Sequence, residues 1–99
     1  MAVHHPPYSA GYQGSSTEVR ETFAPLFERY GVQLALSGHD HDYQRSRVIG
    51  GVTYVVTGAA SGTRRTGDAD FTAVSFSWHS YVELGVYPDR LVGRVLNQD

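Results

Sequence analysis

The fold of this chain is restricted above all by an amphipathic helical segment that runs directly into a buried strand. Ser15 and Glu18 have the spacing of a capping box, and apolar side chains then recur at helical intervals. Gly31 is placed to end the helix, and Pro25 predicts a kink within it. The nearly continuous apolar run at residues 32–36 predicts a strand that is covered on both faces.

The remaining patterns complete an α/β (α+β) chain with one main helix. Residues 2–3 form at most a strand stub, residues 52–57 predict a further strand, and residues 73–96 predict a C-terminal antiparallel hairpin. A chain of 99 residues closes a single hydrophobic core. We therefore predict one domain over residues 1–99, with a mixed sheet that ends in the hairpin.

Composition excludes several classes of function. Ten acidic and eight basic residues give a formal charge of -2, so no basic field holds a nucleic-acid backbone. The absence of Cys excludes disulfides, thiolate nucleophiles and Cys-based zinc sites, so any metal must be bound by His and carboxylates. Neither a membrane-spanning run nor an export signal is visible, and we expect a soluble, cytoplasmic chain without a membrane partner.

The segment LSGHDHD carries the chemistry. His39 and His41 have the i, i+2 spacing that lets two imidazoles face one small region from a tight loop. Gly38 allows the backbone to approach an ion, and the segment follows the strand predicted at residues 32–36. The carboxyl end of a strand in an open α/β sheet is where binding sites form, so this pattern favours a metal site.

The chain carries four segments in order: HHPPYSAG, FAPLFERYGV, LALSGHDHDYQRS and GVTYVVTGAASG. Together they resemble the C-terminal part of calcineurin-like metallophosphoesterases, especially the purple acid phosphatase branch. The resemblance implies that His4 and His39 help to bind one metal ion and that His41 binds its neighbour. It also implies a β-sandwich flanked by helices, of which this chain supplies about the second half.

The family's N-terminal motifs are missing from the chain. Asp-x-His, the Gly-Asp segment with the bridging aspartate and Gly-Asn-His do not occur, and Tyr12 and Gln13 stand where the substrate-binding His is expected. One copy therefore cannot assemble the standard dinuclear centre. Because a truncated sandwich leaves apolar surface and a strand edge in water, we predict a homo-oligomer, a dimer or higher, that completes the fold.

The other candidate residues have weaker roles. His5, Asp40 and Asp42 are candidates for contact with either the metal ligands or the substrate, and Asp42 is placed to orient a ligand imidazole. Because Asp40 lies between the two histidines, we expect it to point away from the site or to hydrogen-bond the loop. His79 is a reserve ligand, although its position beside Trp78 in a predicted strand favours packing.

The predicted reaction is metal-dependent hydrolysis of a small phosphoester. Water held by His4, His39 and His41 on a divalent transition metal attacks phosphorus as hydroxide; Zn is favoured over Mn or Fe, with one or two ions per site. Without a placed general acid, diesters and triesters are favoured over monoesters. The alternatives are a non-catalytic metal-binding remnant and a fragment that needs the N-terminal half of a larger metallophosphoesterase.

Overall fold

The computed structural model describes residues 1–60 and 62–97, which form one helix, a four-stranded mixed sheet and a two-stranded hairpin. The elements in chain order are α1 (Thr17–Arg29), β1 (Leu34–Ser37), β2 (Tyr43–Ile49), β3 (Val52–Thr57), β4 (Thr72–Phe76), β5 (Ser80–Val86) and β6 (Leu91–Asn97). This α+β arrangement confirms the predicted fold class. Ser61, which belongs to the GVTYVVTGAASG segment, lies outside the described residues.

The N-terminus of α1 is capped one residue later than predicted. The Ser16 side chain accepts a hydrogen bond from the N–H of Val19 at 3.3 Å. Ser15 is not the cap because its hydroxyl is already engaged with Ser9, accepting from the Ser9 N–H at 2.8 Å. An N-cap oxygen satisfies one of the free N–H groups of the first turn, and either serine has the chemistry to do so. Tertiary contacts decided between the two.

The C-terminal part of α1 follows the prediction more closely. The helix runs through Pro25 to Arg29, and Gly31 follows with a φ of 68°. Glycine has no Cβ to oppose this left-handed conformation, and it commonly ends helices for that reason. The predicted kink at Pro25 stays a prediction.

The four-stranded sheet has the order β1-β3-β2-β4. β1 and β3 are parallel, whereas β2 is antiparallel to both β3 and β4. β3 has the predicted bounds and β1 begins two residues later than predicted. The sequence analysis did not predict β2, because the strand begins with two consecutive buried residues, Tyr43 and Gln44, and so lacks a simple hydrophobic alternation. The polar side chain of Gln44 is buried because it has hydrogen-bond partners.

The two faces of the sheet have different covers. α1 packs Ala24 and Phe27 against Ala35, Val52 and Tyr54, which form the hydrophobic core. On the other face, side chains from β1, β2 and β3 and from the hairpin line a cavity of about 680 Å³; they include Leu34, Leu36, Val55, Val82, Leu84 and Leu91. The hairpin is thus the second layer, but it is not packed closely against the sheet.

The C-terminal hairpin is confirmed, with β5 and β6 paired in antiparallel register from Ser80–Asn97 to Val86–Leu91. It begins later than predicted, because residues 73–76 belong to β4 of the four-stranded sheet. Its turn is closed by a hydrogen bond from the Tyr87 N–H to the carbonyl oxygen of Arg90 at 2.9 Å. The predicted strand position of His79 is wrong: it lies exposed between β4 and β5, where the chain leaves the four-stranded sheet. Within residues 1–60 and 62–97, no helix has the length and apolar character needed to cross a membrane.

Candidate metal centre

The candidate site lies where two parallel segments end side by side. Ala2 forms a parallel bridge with Leu36, and the Val3 N–H donates to the carbonyl oxygen of Leu36 at 2.9 Å. One step further along, the Gly38 N–H donates to the carbonyl oxygen of His4 at 3.0 Å. The HHPPY and GHDH segments therefore leave the sheet at the same edge, as the strand-end argument predicts.

Three imidazoles meet at this edge and form the histidine cluster, which consists of His4, His5 and His39. Their ring centroids are 4.9 Å apart for His4 and His5, 5.3 Å for His4 and His39, and 4.5 Å for His5 and His39. One nitrogen from each ring lies within 4.8 Å of one nitrogen from each of the other two. His4 and His5 are exposed and His39 is half-buried, so the cluster opens to solvent.

The backbone of His39 has a strained conformation, and its ring lies beside those of His4 and His5. His39 has a φ of 68°, and it is the non-glycine residue with a positive φ among those the structure describes. A residue with a Cβ adopts this conformation at a cost of about 1 to 3 kcal/mol, and such residues concentrate at functional sites. The turn sends the His39 ring toward His4 and His5 instead of continuing the line of β1.

His41, the third predicted ligand, is not part of the histidine cluster. Its carbonyl oxygen accepts a hydrogen bond from the Arg64 N–H at 2.8 Å, and its Nδ1 faces Gly62, where an added Cβ would lie 3.5 Å away. The loop after β3 therefore lies against His41. His79, the reserve ligand, is also outside the cluster.

The carboxylate of Asp40 is completely buried beneath the site. It accepts hydrogen bonds from the Ser9 hydroxyl and from the N–H of Gln13, the latter at 2.6 Å. The expectation that Asp40 hydrogen-bonds a loop is confirmed, but the loop is the one that follows HHPPY and not its own. A buried carboxylate is stabilised by such donors, because they replace the water it has lost.

Asp42 is buried beside Asp40 and is held by a different partner. Gln44 Nε2 donates to both carboxylate oxygens of Asp42 at 3.0 Å, and it also donates to the Ser9 hydroxyl at 2.9 Å. These four residues, Ser9, Asp40, Asp42 and Gln44, are called the polar cluster below. Among the described residues, no imidazole hydrogen-bonds Asp42, so it does not orient a ligand ring here.

Burial raises the pKa of Asp42 above its ordinary value, and the nearby charge of Asp40 raises it further. The Gln44 amide, the Thr66 hydroxyl and the charge of His41 act in the opposite direction. The Thr66 hydroxyl oxygen is close enough to influence Asp42, yet it has no hydrogen-bond partner among the described residues. The geometry therefore makes Gln44 the main donor that stabilises the ionised form.

Two glycines allow the polar cluster to pack this tightly. A Cβ on Gly11 would collide with the side chains of Asp40 and Asp42, and a Cβ on Gly58 would collide with the carbonyl oxygen of Asp40. Neither Ser9 nor Gln44 was identified from the sequence as part of the site. The only signal available was the placement of small residues in YSAGYQG, which the sequence alone assigns to a loop.

Several known acid phosphatases are similar in sequence to this chain. No protein-family model matches the chain. The chain is similar to an acid phosphatase of Aspergillus ficuum, with 45% identity over 47 residues, 48% of this chain and 8% of that protein. It is 36% identical to human tartrate-resistant acid phosphatase type 5 over 61 residues, 62% of this chain and 19% of that protein.

Purple acid phosphatase 3 of Arabidopsis thaliana is 29% identical over 69 residues, 69% of this chain and 19% of that protein. The predicted resemblance to purple acid phosphatases is thus confirmed. The chain spans between 8% and 19% of the length of these three relatives. The matched residues are therefore similar to one part of these longer phosphatases.

A solved structure has a fold similar to that of this chain. The structure titled "GAP50 the anchor in the inner membrane complex of Plasmodium" superposes with a TM-score of 0.87 at 19% identity, covering 95% of this chain and 30% of that one. This similarity concerns the fold alone. It indicates that the mixed sheet, α1 and the hairpin recur together as one piece of a larger architecture.

Proposed function

We propose that this chain is the metal-binding part of a phosphoester hydrolase. The single observation that carries the proposal is the meeting of His4 and His39 at neighbouring parallel strand ends, in a chain whose relatives are named acid phosphatases. Both residues are among the ligands that the sequence predicts. A shared strand edge with convergent nitrogens is the arrangement such chemistry requires.

The residues fit a divalent transition metal. Neutral imidazole is a good ligand for Zn, Mn or Fe, and three nitrogens within 4.8 Å of one another need only small side-chain rotations to share an ion. We expect Zn²⁺ to be bound, with Mn or Fe as the alternatives. When bound, the ion supplies a Lewis acid for the phosphoryl oxygens and activates water for attack on phosphorus. His41, beside the Arg64 loop, is available to a second ion.

The chain's own residues prepare this site. The polar cluster joins the loop after HHPPY to the GHDH loop, since Asp40 accepts from Ser9 and from Gln13. His39, within the GHDH loop, has a φ of 68°, and a hydrogen bond from the Asp40 N–H to the Gly38 carbonyl oxygen closes its turn. Because the two loops are fixed before any ligand arrives, little ordering is needed when an ion and a phosphoester bind.

We expect phosphodiesters or phosphotriesters to be better substrates than monoesters. The segment after HHPPY carries Tyr12 and Gln13 and has no His, so it contributes no imidazole acid. A leaving group with a low pKa departs without protonation, whereas an alkyl monoester needs an acid. The expected preference for diesters and triesters therefore rests on the missing imidazole acid in this segment.

A second copy of the chain is proposed to cover the apolar surface of the hairpin. Val86, Tyr81 and Val92 are exposed by 77%, 54% and 44%. Together with the loosely filled cavity under the hairpin, they form a surface of the kind that associates. A monodisperse monomer in light scattering at high micromolar concentration would contradict the homo-oligomer but not the metal site.

The function is tested by hydrolysis of bis(4-nitrophenyl) phosphate with the tag-free chain loaded with Zn²⁺ or Mn²⁺. Turnover that is lost on chelation and lost in His39→Ala supports the proposal, and His79→Ala is the matched exposed-histidine control. Metal binding without turnover on diesters, triesters and monoesters would select the metal-binding remnant instead. Turnover that appears only when an N-terminal metallophosphoesterase segment is added would select the fragment.

A further inference from the structure

We propose that His5 is a direct metal ligand and that the first ion bound by this chain is held by His4, His5 and His39, without His41. The sequence assigned His5 only to a second shell or to substrate contact. The assignment rests on the proposed function for the role of the ion, but the binding site itself stands on the geometry of three side chains.

The distances favour His5 over His41. The His5 and His39 rings have the shortest centroid separation in the histidine cluster, 4.5 Å, and His5 and His4 are 4.9 Å apart. His41 is absent from the group of described residues whose ligand atoms lie within 4.8 Å of one another. A tetrahedral site needs three protein nitrogens around one point and a fourth open position. His5 supplies the third nitrogen and His41 does not.

The backbone that carries His5 is held on its C-terminal side. Pro6 and Pro7 are buried, the Pro6 carbonyl oxygen accepts from the Ser16 N–H at 2.7 Å, and the Pro7 carbonyl oxygen accepts from Arg20 Nε at 2.8 Å. A residue before proline is restricted to extended conformations. His5 thus projects from a backbone that is tied to the start of α1.

The backbone of the other two ligands is held independently. The carbonyl oxygen of His4 accepts from the Gly38 N–H at 3.0 Å, and this hydrogen bond joins the two histidine-bearing segments directly. The Asp40 N–H donates to the Gly38 carbonyl oxygen at 2.8 Å, which closes the turn that contains His39. All three rings are therefore carried by backbone that is already in place, and only side-chain rotations separate them from a common ion.

The nearby carboxylates do not compete for this role. The two oxygens of Asp40 accept from the Ser9 hydroxyl and the Gln13 N–H, and both oxygens of Asp42 accept from Gln44. Both carboxylates are buried, while His4 and His5 are exposed. The site is therefore an all-nitrogen site with no ligand charge. Such a site selects Zn²⁺, Co²⁺ or Ni²⁺ over Mg²⁺ or Ca²⁺, and it leaves the charge of the ion free to attract an anionic phosphoester.

The assignment of His5 is tested by measuring metal affinity and not by measuring turnover. The tag-free full chain is titrated with Co²⁺ while its visible absorption is recorded, and with Zn²⁺ by competition against a chromogenic chelator, for the wild type and for His5→Ala, His39→Ala, His41→Ala and His79→Ala. Loss of even an outer-shell partner lowers metal affinity about 10- to 100-fold. We therefore expect His5→Ala and His39→Ala each to lose on the order of 100-fold or more. His41→Ala and His79→Ala should change the first binding step less than about 3-fold.

His5→Asp provides a rescue, because it replaces the nitrogen ligand by an oxygen ligand. It should recover part of the affinity that His5→Ala loses, whereas a residue that only supports the fold would gain nothing from the carboxylate. Circular dichroism of His5→Ala and His5→Asp should match that of the wild type, since His5 is exposed.

Two outcomes overturn the assignment of His5. One is wild-type affinity in His5→Ala together with a large loss in His41→Ala, and the other is an absence of metal binding by the wild type. If His5→Ala keeps the metal affinity of the wild type while the wild type hydrolyses the diester, the assignment of His5 as a ligand is wrong but the proposed hydrolase function is supported. If His5→Ala loses affinity and no phosphoester is hydrolysed, the metal site stands and the hydrolase fails.

Discussion

The loops at the histidine cluster and the C-terminal hairpin are stabilised by opposite means. At the loops, two carboxylates are fully buried: Asp40 and Asp42 are 0% and 1% exposed, and each accepts hydrogen bonds. In the hairpin, large apolar side chains such as Val86 and Tyr87 are exposed, and its salt bridge between Arg94 and Glu83 lies on the surface. Within the described residues, the buried carboxylates of the loops find their partners, whereas apolar side chains of the hairpin stay exposed.

This difference separates two requirements of the molecule. Buried hydrogen-bonded carboxylates contribute little net free energy of folding, but removing a partner is costly, so they fix one loop geometry. Exposed apolar residues contribute stability only after another surface covers them. The site is therefore specified by contacts between its own loops, whereas the exposed face of the hairpin contributes stability only when another surface covers it.

The largest expected effect is at Asp40. Asp40→Ala leaves the Ser9 hydroxyl and the Gln13 N–H without their acceptor in a buried position, and we expect the free energy of unfolding to fall by about 3 kcal/mol. Urea denaturation measures this loss, with the exposed Asp89→Ala as the control. A loss below about 1 kcal/mol would show that the polar cluster does not hold the two loops together.

Gly58→Ala should have the next largest effect, because the new methyl group collides with the backbone carbonyl of Asp40. Overpacking of this kind costs about 1 to 3 kcal/mol, measured by the same urea midpoint. The control is Gly62→Ala, whose methyl group would meet His41 Nδ1 at an ordinary 3.5 Å. Equal stability of the two variants would contradict the close packing beneath the site.

A smaller effect is expected in the pH dependence. Because burial raises the pKa of Asp42, the folded chain holds this proton more tightly than the unfolded chain does. Its contribution to stability is therefore fully present below the ordinary pKa of 3.8 and is lost as pH rises through the raised value. Asp42→Asn should remove that decline from the unfolding free energy measured between pH 3 and pH 7, whereas Asp89→Asn should preserve it.

The smallest effect on folding is expected in the hairpin. Val86→Ser and Val92→Ser remove exposed apolar groups, so the unfolding free energy of dilute chain should stay within about 0.5 kcal/mol of the wild type. At high concentration both variants should associate less, as measured by light scattering. A large loss of stability in dilute solution would instead show that the hairpin is covered from within its own chain.

Much of the fold was accessible from the sequence. The helix and the strands at β1 and β3 were predicted from periodicity, and the C-terminal hairpin from its turn and alternation. β2 escaped because Gln44 is buried by hydrogen bonds to Asp42 and Ser9, a relation that hydrophobic patterning does not detect. His79 was misplaced because alternation continued past the point where the chain leaves the sheet.

For the site, the sequence by itself determined that imidazoles follow two strand ends, since HHPPY and GHDH each come after an apolar segment. It did not determine which imidazoles meet. The direction of a ring depends on the φ of its own residue and on what packs beneath the loop, as the 68° φ of His39 and the buried Asp40 show. Those are properties of segments about thirty residues apart, and only the tertiary structure brings them together.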